Sequence, residues 1–274
     1  MSAAGSLQGK VVAVVGGANG IGLATARLLA AGGARVAIGD FDGDAARAAA
    51  RGLGDGAMGL AVDVVDREAC GAFIAAVERE LGAIDVLVNS AGVMWVGPFD
   101  EEPAGATAKQ LAVNLQGAIH LVQATAPGMR ARGNGHIVTI ASAASLLPTP
   151  GEASYAASKH GVLGYLKAVR AELHGSGVRL SVVMPTVVET ALAAGTSTGA
   201  AKLLQPEDIA RAVARVIARP RFEVTVPGYV GLANRLVGLL PERPRAAVMR
   251  RLVPDQVKSV DRARRADYEA RFEG

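Results

Sequence analysis

The sequence predicts an α/β fold: a single doubly wound domain with a mostly parallel seven-stranded sheet, followed by a C-terminal helical extension. Three observations predict it. Short apolar runs alternate with helical stretches from Val11 to Val226, the pattern of a parallel sheet covered on both faces by right-handed crossovers. The first run passes through a glycine cluster straight into an Ala/Leu-rich stretch. Polar or turn-forming residues then follow the ends of successive runs, where open α/β sheets bind ligands.

The elements follow in order. Lys10 to Val15 is a Val-rich buried strand, and it leads through Gly16-Gly17-Ala18-Asn19-Gly20-Ile21-Gly22 into a helix over Leu23 to Ala31. Glycines suit a turn that needs unusual backbone angles and a close approach to a pyrophosphate, and the helix N-terminus that follows binds anions. The spacing differs from G-x-G-x-x-G, and a plain β–α turn is the other reading. The second strand, Arg35 to Gly39, ends at Asp40-Phe41, eighteen residues after Gly22. A carboxylate there suits a ribose 2′-hydroxyl and repels a 2′-phosphate, which predicts NAD rather than NADP; the other reading of Asp40 is a polar strand end.

The third strand, Gly59 to Val62, is followed by Asp63-Val64 and a helix over Asp66 to Leu81. The fourth, Val86 to Val88, runs into Asn89-Ser90-Ala91-Gly92, and a helix over Lys109 to Arg132 contains Asn114. After the fifth, His136 to Ile140, comes Ser142. The sixth, Leu180 to Val183, runs into Pro185. The small-residue stretch Ala193 to Ala201 reads as a lid or as a loose connection. A helix opened by Pro206-Glu207-Asp208 precedes the seventh strand, Phe222 to Val226.

Chemistry concentrates at Ser142 and, thirteen residues on, Tyr155-Ala-Ala-Ser-Lys159. Tyr155 and Lys159 are four apart, on one helix face about a turn from each other. A phenol near pKa 10 is a poor base at neutral pH, but a neighbouring ammonium and a helix N-terminus favour its charged form, which predicts a lowered Tyr155 pKa and a general base.

Together these residues resemble the short-chain dehydrogenase/reductase family, with a Rossmann-like fold, from about Lys10 to about Pro227. The resemblance implies that Gly16, Asn19, Gly20, Ile21 and Gly22 form the cofactor loop. Asp40 and Phe41 fall at the adenosine ribose, and Asp63 and Val64 at the adenine. Asn89, Ala91 and Gly92 match a further cofactor segment, while Pro185, Val188 and Thr190 match the segment bordering the nicotinamide. Asn114, Ser142, Tyr155 and Lys159 fall on its four catalytic positions. The implied reaction is hydride transfer between NAD and a secondary alcohol or ketone. Tyr155 exchanges the hydroxyl proton, Ser142 holds the substrate oxygen, Lys159 acts on the phenol and the ribose, and Asn114 supports a water path to Lys159. Val15, Ser90 and Thr186 depart from the family pattern, which leaves a catalytically silent NAD-binding regulator as the alternative. The resemblance also implies a homodimer or homotetramer.

The segments expected at the substrate, Val93 to Val96, Ala143 to Pro148 and Val187 to Leu192, are mostly apolar and predict a lipophilic alcohol or ketone. Glu152 and Glu189 lie nearby and are expected to face water.

The 274 residues, half of them hydrophobic, suit one large domain over 10–228, with a disordered leader over 1–9 and a basic helical extension over 229–274. Only 4% of the residues are aromatic, so Ala, Val and Leu must build the core. The single cysteine, Cys70, excludes an intramolecular disulfide and fits a cytoplasmic protein. Four scattered histidines give no metal cluster. The net charge of +4 lies in the last fifth of the chain, so a nucleic-acid face on the body is not indicated. In the extension, Leu232, Leu236, Leu239 and Leu240, then Val248, Met249, Leu252 and Val253, give two short helical patterns among Arg243, Arg245, Arg250 and Arg251. These helices cover the cleft or a neighbouring subunit, or else contact an anionic membrane surface.

Overall fold

The computed structural model describes residues 7–199 and 201–273, with side chains as far as residue 270. Its strands are β1 (Val11–Val15), β2 (Arg35–Asp40), β3 (Met58–Ala61), β4 (Val86–Asn89), β5 (Gly135–Ile140), β6 (Val178–Pro185) and β7 (Glu223–Val226). They form one sheet in the order β3-β2-β1-β4-β5-β6-β7, with every pairing parallel. All five residues of β1 are buried because both faces of the sheet are covered, which is why the strand reads as continuous valine instead of alternating.

The helices of the main body are α1 (Gly20–Ala31), α2 (Gly43–Arg51), α3 (Arg67–Leu81), α4 (Ala104–Gln110), α5 (Gly117–Ala131), α6 (Ala153–Glu172) and α7 (Pro206–Ala218). One layer packs α3, α5 and α6 on the sheet, with Phe73, Val77, Leu121, Met129, Val162 and Leu166 meeting Ala13 and Leu87. The opposite layer packs α1, α2 and α7, with Leu29, Ala46, Ile209 and Val213 meeting Val12 and Val14. Successive β1 side chains therefore serve opposite cores, as the strand's period of two requires. Chain order reverses between β1 and its neighbour β4, and the crevice this opens lies beyond the strands' carboxyl ends.

Several elements differ from expectation. The helix expected from Lys109 begins at Ala104 and passes through a π-helical turn, Leu111–Gln116, before α5. The extension folds into four helices where two were expected: α8 (Tyr229–Gly238), α9 (Glu242–Leu252), α10 (Gln256–Ser259) and α11 (Arg262–Glu273). Residues 1–6 of the expected leader lie outside the described residues. Its last three are ordered, with Leu7 buried and Gly9 donating to the Gly33 carbonyl at 2.9 Å. Among the described residues no helix is long and apolar enough to cross a membrane.

Candidate active site

The glycine turn sits at the head of the crevice. Gly16 takes φ +71°, and a Cβ there would stand 2.6 Å from the Ala91 amide nitrogen; one on Gly22 would stand 2.0 Å from the Gly16 carbonyl oxygen. Neither position can hold a side chain. Asn19 caps α1 without a side-chain hydrogen bond, and the first turn carries no acidic residue, so this N-terminus is open to an anion. Asn19, Gly20 and Ile21 line a cavity of about 970 Å³ that Pro185, Val188 and Thr190 also line. Beside Pro185, Thr186 also lines it and keeps a buried hydroxyl with no partner among the described residues. An open helix N-terminus, glycines with no room for a Cβ and an unsatisfied hydroxyl fit a dinucleotide lying from the turn to Pro185.

Asp40 closes the turn from below. One carboxylate oxygen accepts from the Ala18 amide at 3.0 Å and the other from Asp42 at 3.3 Å. Phe41 beside it is 79% exposed. Asp63 is also exposed and accepts from Val65, while Val64 is buried with its carbonyl 3.0 Å from His120 Nδ1. Asn89 is buried and accepts from the Ala91 amide at 3.1 Å, which shapes the β4 loop against Gly16. These residues surround the turn; of the β4 loop, Ser90 and Gly92 reach the cavity wall.

Ser142, Tyr155 and Lys159 all line the cavity, which brings the three together as the spacing predicts. Ser142 accepts from the Ala144 amide at 3.1 Å, leaving its hydroxyl proton to donate elsewhere. The Lys159 ammonium lies 5.5 Å from the centre of the Tyr155 ring. Burial lowers Lys159 to about 8. It pushes the Tyr155 phenol above its ordinary value; the Glu152 carboxylate adds to that, and the Ser142 hydroxyl pulls the other way. The expected lowering of Tyr155 is therefore reversed, because loss of water on burial dominates. Asn114 lies in the π turn rather than on a regular helix, fully buried. Its side chain accepts from the Val93 amide at 2.8 Å and donates to the Val93 carbonyl and Ser158 at 2.9 Å each. It clamps the loop beside the cavity, and a Cβ on Gly92 would touch both its oxygen and the Lys159 nitrogen at 3.3 Å.

Residues 10–201 match the family described as short chain dehydrogenase, which is well over half of the chain. The chain belongs to the short-chain dehydrogenase family. It is an oxidoreductase of CH–OH groups, and the family uses a nicotinamide cofactor. It is 43% identical over 189 residues to the D-threitol dehydrogenase of Mycolicibacterium smegmatis, covering 68% of this chain and 73% of that one. It is 34% identical over 191 residues to the D-beta-hydroxybutyrate dehydrogenase of Rhizobium meliloti, covering 67% and 73%. A metagenomic short-chain oxidoreductase solved in complex with NADP superposes with a TM-score of 0.70 at 36% identity, covering 80% of this chain and 97% of that one.

What sequence reasoning missed lies on the substrate side of this short-chain dehydrogenase. Glu189 is exposed and accepts from Gln205 at 2.6 Å, and it also lines the rim of the same cavity. Glu152 is the correction: it is 8% exposed and lines the cavity. Burial raises its pKa to about 7, against the Arg265 charge. The extension supplies more of the wall. Tyr229, Val230 and Val237 of α8 line the cavity, and so does Tyr268 of α11, whose hydroxyl accepts from the Met94 amide at 3.1 Å. Arg265 is 1% exposed; it donates to the Leu192 and Ala194 carbonyls at 3.0 and 3.2 Å and to Met94, and pairs with Glu269 at 2.7 Å. The stretch expected as a lid is thus fastened from outside. Gln256 of α10 adds two bonds to the Ser197 backbone, and Asp261 donates to the Gly195 carbonyl.

Proposed function

We propose that the protein is an NAD-dependent oxidoreductase interconverting a lipophilic secondary alcohol and its ketone. The observation that carries this reading is the convergence of Ser142, Tyr155 and Lys159 on one cavity whose remaining wall is dominated by Val, Leu, Met and Ala. When bound, the nicotinamide supplies or accepts the hydride. Gly16, Gly20 and Gly22, with Asn19 and Ile21, hold the pyrophosphate at the head of α1. Asp40 takes the ribose 2′-hydroxyl beside Phe41. Asp63 and Val64 would border the adenine, Asn89, Ala91 and Gly92 would hold a further part of the cofactor, and Pro185, Val188 and Thr190 would border the nicotinamide.

In the oxidative direction, Tyr155 takes the proton of the substrate hydroxyl, and Ser142 donates a hydrogen bond to the same oxygen. Lys159 favours the phenolate once the cavity is filled, and Asn114 supports the proton's exit past Lys159. A high phenol pKa in the resting cavity keeps Tyr155 protonated, which suits it as the proton donor for ketone reduction. The named relatives act on a polyol and a hydroxy acid; the apolar wall here favours a less polar frame. Tyr155→Phe is expected to keep NAD affinity and lose about 10²–10⁴ in kcat, measured as NADH absorbance over a panel of lipophilic alcohols. Near-normal turnover in the variant would remove Tyr155 from the mechanism.

We also propose a homodimer or homotetramer. While the inner face of α8 lines the cavity, Leu232, Leu236 and Leu239 on its outer face are 59–82% exposed, beside the exposed arginines of α9. Sedimentation equilibrium checks the assembly, and co-sedimentation with anionic vesicles checks the membrane alternative.

A further inference from the structure

Glu152 has no structural task that explains its place. It occupies the N-cap of α6, yet its carboxylate bonds none of the free amides of the first turn, which an N-cap side chain ordinarily does. It is more than nine-tenths buried, and no described residue donates a hydrogen bond to its carboxylate. Its oxygens open instead on the cavity that Tyr155 shares. Arg265, the nearest cation in effect, already spends four of its five N–H donors on three backbone carbonyls and Glu269. It lends Glu152 a field and no bond.

The backbone around Glu152 is rigid. Gly151 accepts from Gly97, Pro150 accepts from Gln256, and the Glu152 amide donates to Thr149 at 3.2 Å. The Glu152 backbone is therefore fixed one turn from Tyr155, and its side chain shares the cavity wall with Met94 and Ala144. Because Glu152 lines the cavity, a ligand that displaces water from it must offer the carboxylate a donor or leave it without one.

We propose that Glu152 is a specificity-determining residue that accepts a hydrogen bond from a second hydroxyl of the substrate, so that the preferred substrate is a diol on an apolar ring or chain. This rests on the alcohol-oxidising reading above and deepens it. One CH–OH is oxidised to C=O: hydride passes to NAD⁺, giving NADH, and the hydroxyl proton passes to Tyr155. The second hydroxyl is unchanged, and the product is a hydroxyketone. The apolar wall and this acceptor beside Tyr155 then act together. The wall rejects polyols with many unsatisfied hydroxyls, and the carboxylate rejects simple alcohols that leave it unpaired.

The test compares kcat/KM for cyclohexane-1,2-diol, cyclohexane-1,3-diol and cyclohexanol with NAD⁺, in the wild type, Glu152→Gln and Glu152→Leu. The wild type is expected to favour at least one diol over cyclohexanol by about ten-fold or more. That ratio should fall towards one in Glu152→Leu, with Glu152→Gln, which keeps an acceptor oxygen, in between. A purely structural Glu152 would depress all three substrates alike and leave the ratio standing, which overturns the proposal. So does a wild-type ratio near one. Turnover of cyclohexanol without diol preference removes this proposal alone, whereas no turnover of any alcohol removes the oxidoreductase reading with it.

Discussion

Asp40 shows how one carboxylate does two things at once. One of its oxygens anchors the glycine turn through Ala18, and in the proposed reading its charge also disfavours a 2′-phosphate on the cofactor ribose. Asp40→Asn keeps an oxygen for that amide and removes the charge. Two like charges about 4 Å apart at a partly hydrated site repel by roughly 1–4 kcal/mol, so the ratio of NADP to NAD affinity is expected to rise about ten-fold or more, measured by titrating each cofactor. At this scale the sequence was most legible where chemistry demands a residue type at a fixed spacing, as with Ser142, Tyr155 and Lys159. It was least legible where burial decides. Nothing in the order of residues marks Glu152 as buried and Glu189 as exposed, because that depends on Met94, Val96 and α11 arriving from elsewhere in the chain.

Among the elements, β5 and β6 carry a titration that has nothing to do with the site. His136 lies buried on β5 with its Nε2 2.8 Å from the Ser181 hydroxyl of β6, and its Nδ1 has no partner among the described residues. Burial lowers its pKa from 6.5 to about 4. Below pH 6.5 the unfolded chain takes a proton that the folded one refuses, so this group removes about 3 kcal/mol of stability by pH 4. Glu152, raised from 4.5 to about 7, runs the other way: the folded state holds the extra proton, and its contribution is fully present below 4.5 and lost as pH rises through 7. The two slopes oppose each other over nearly the same window. In thermal melts from pH 4 to 7, His136→Gln is expected to gain stability towards acid and Glu152→Gln to lose it, while the wild type changes least. The strands themselves were legible because both their faces are buried. The π turn at Leu111–Gln116 was not, since one extra residue in a helical turn leaves no mark on apolar periodicity.

Across the whole molecule, the extension closes the substrate side of the cavity. Arg265 is the fastening: one guanidinium ties α11 to the loops at Met94 and at Leu192 and Ala194. Arg265→Met keeps the bulk and leaves three carbonyls, one buried and two partly buried, and Glu269 without their donor. Stability is expected to fall by about 2–4 kcal/mol, KM to rise more than kcat falls, and hydrogen exchange to quicken over residues 192–197. Unchanged exchange there would show that α11 does not hold the loop. The basic character of this segment was plain from composition, and that part of it covers the cleft was one of the stated readings. Which of its ten Lys and Arg is buried was not legible, because a single salt-bridged arginine reads the same as its solvated neighbours until the fold surrounds it.

That fastening also sets an order of assembly. A chain made from its N-terminus releases the glycine turn, the seven strands and Tyr155 before α11 leaves the ribosome. The cofactor cleft can form on the nascent chain, and the wall that selects the substrate forms last. A substitution at Tyr268, which lines the cavity from α11, would thus alter what the enzyme accepts before it altered how the body folds.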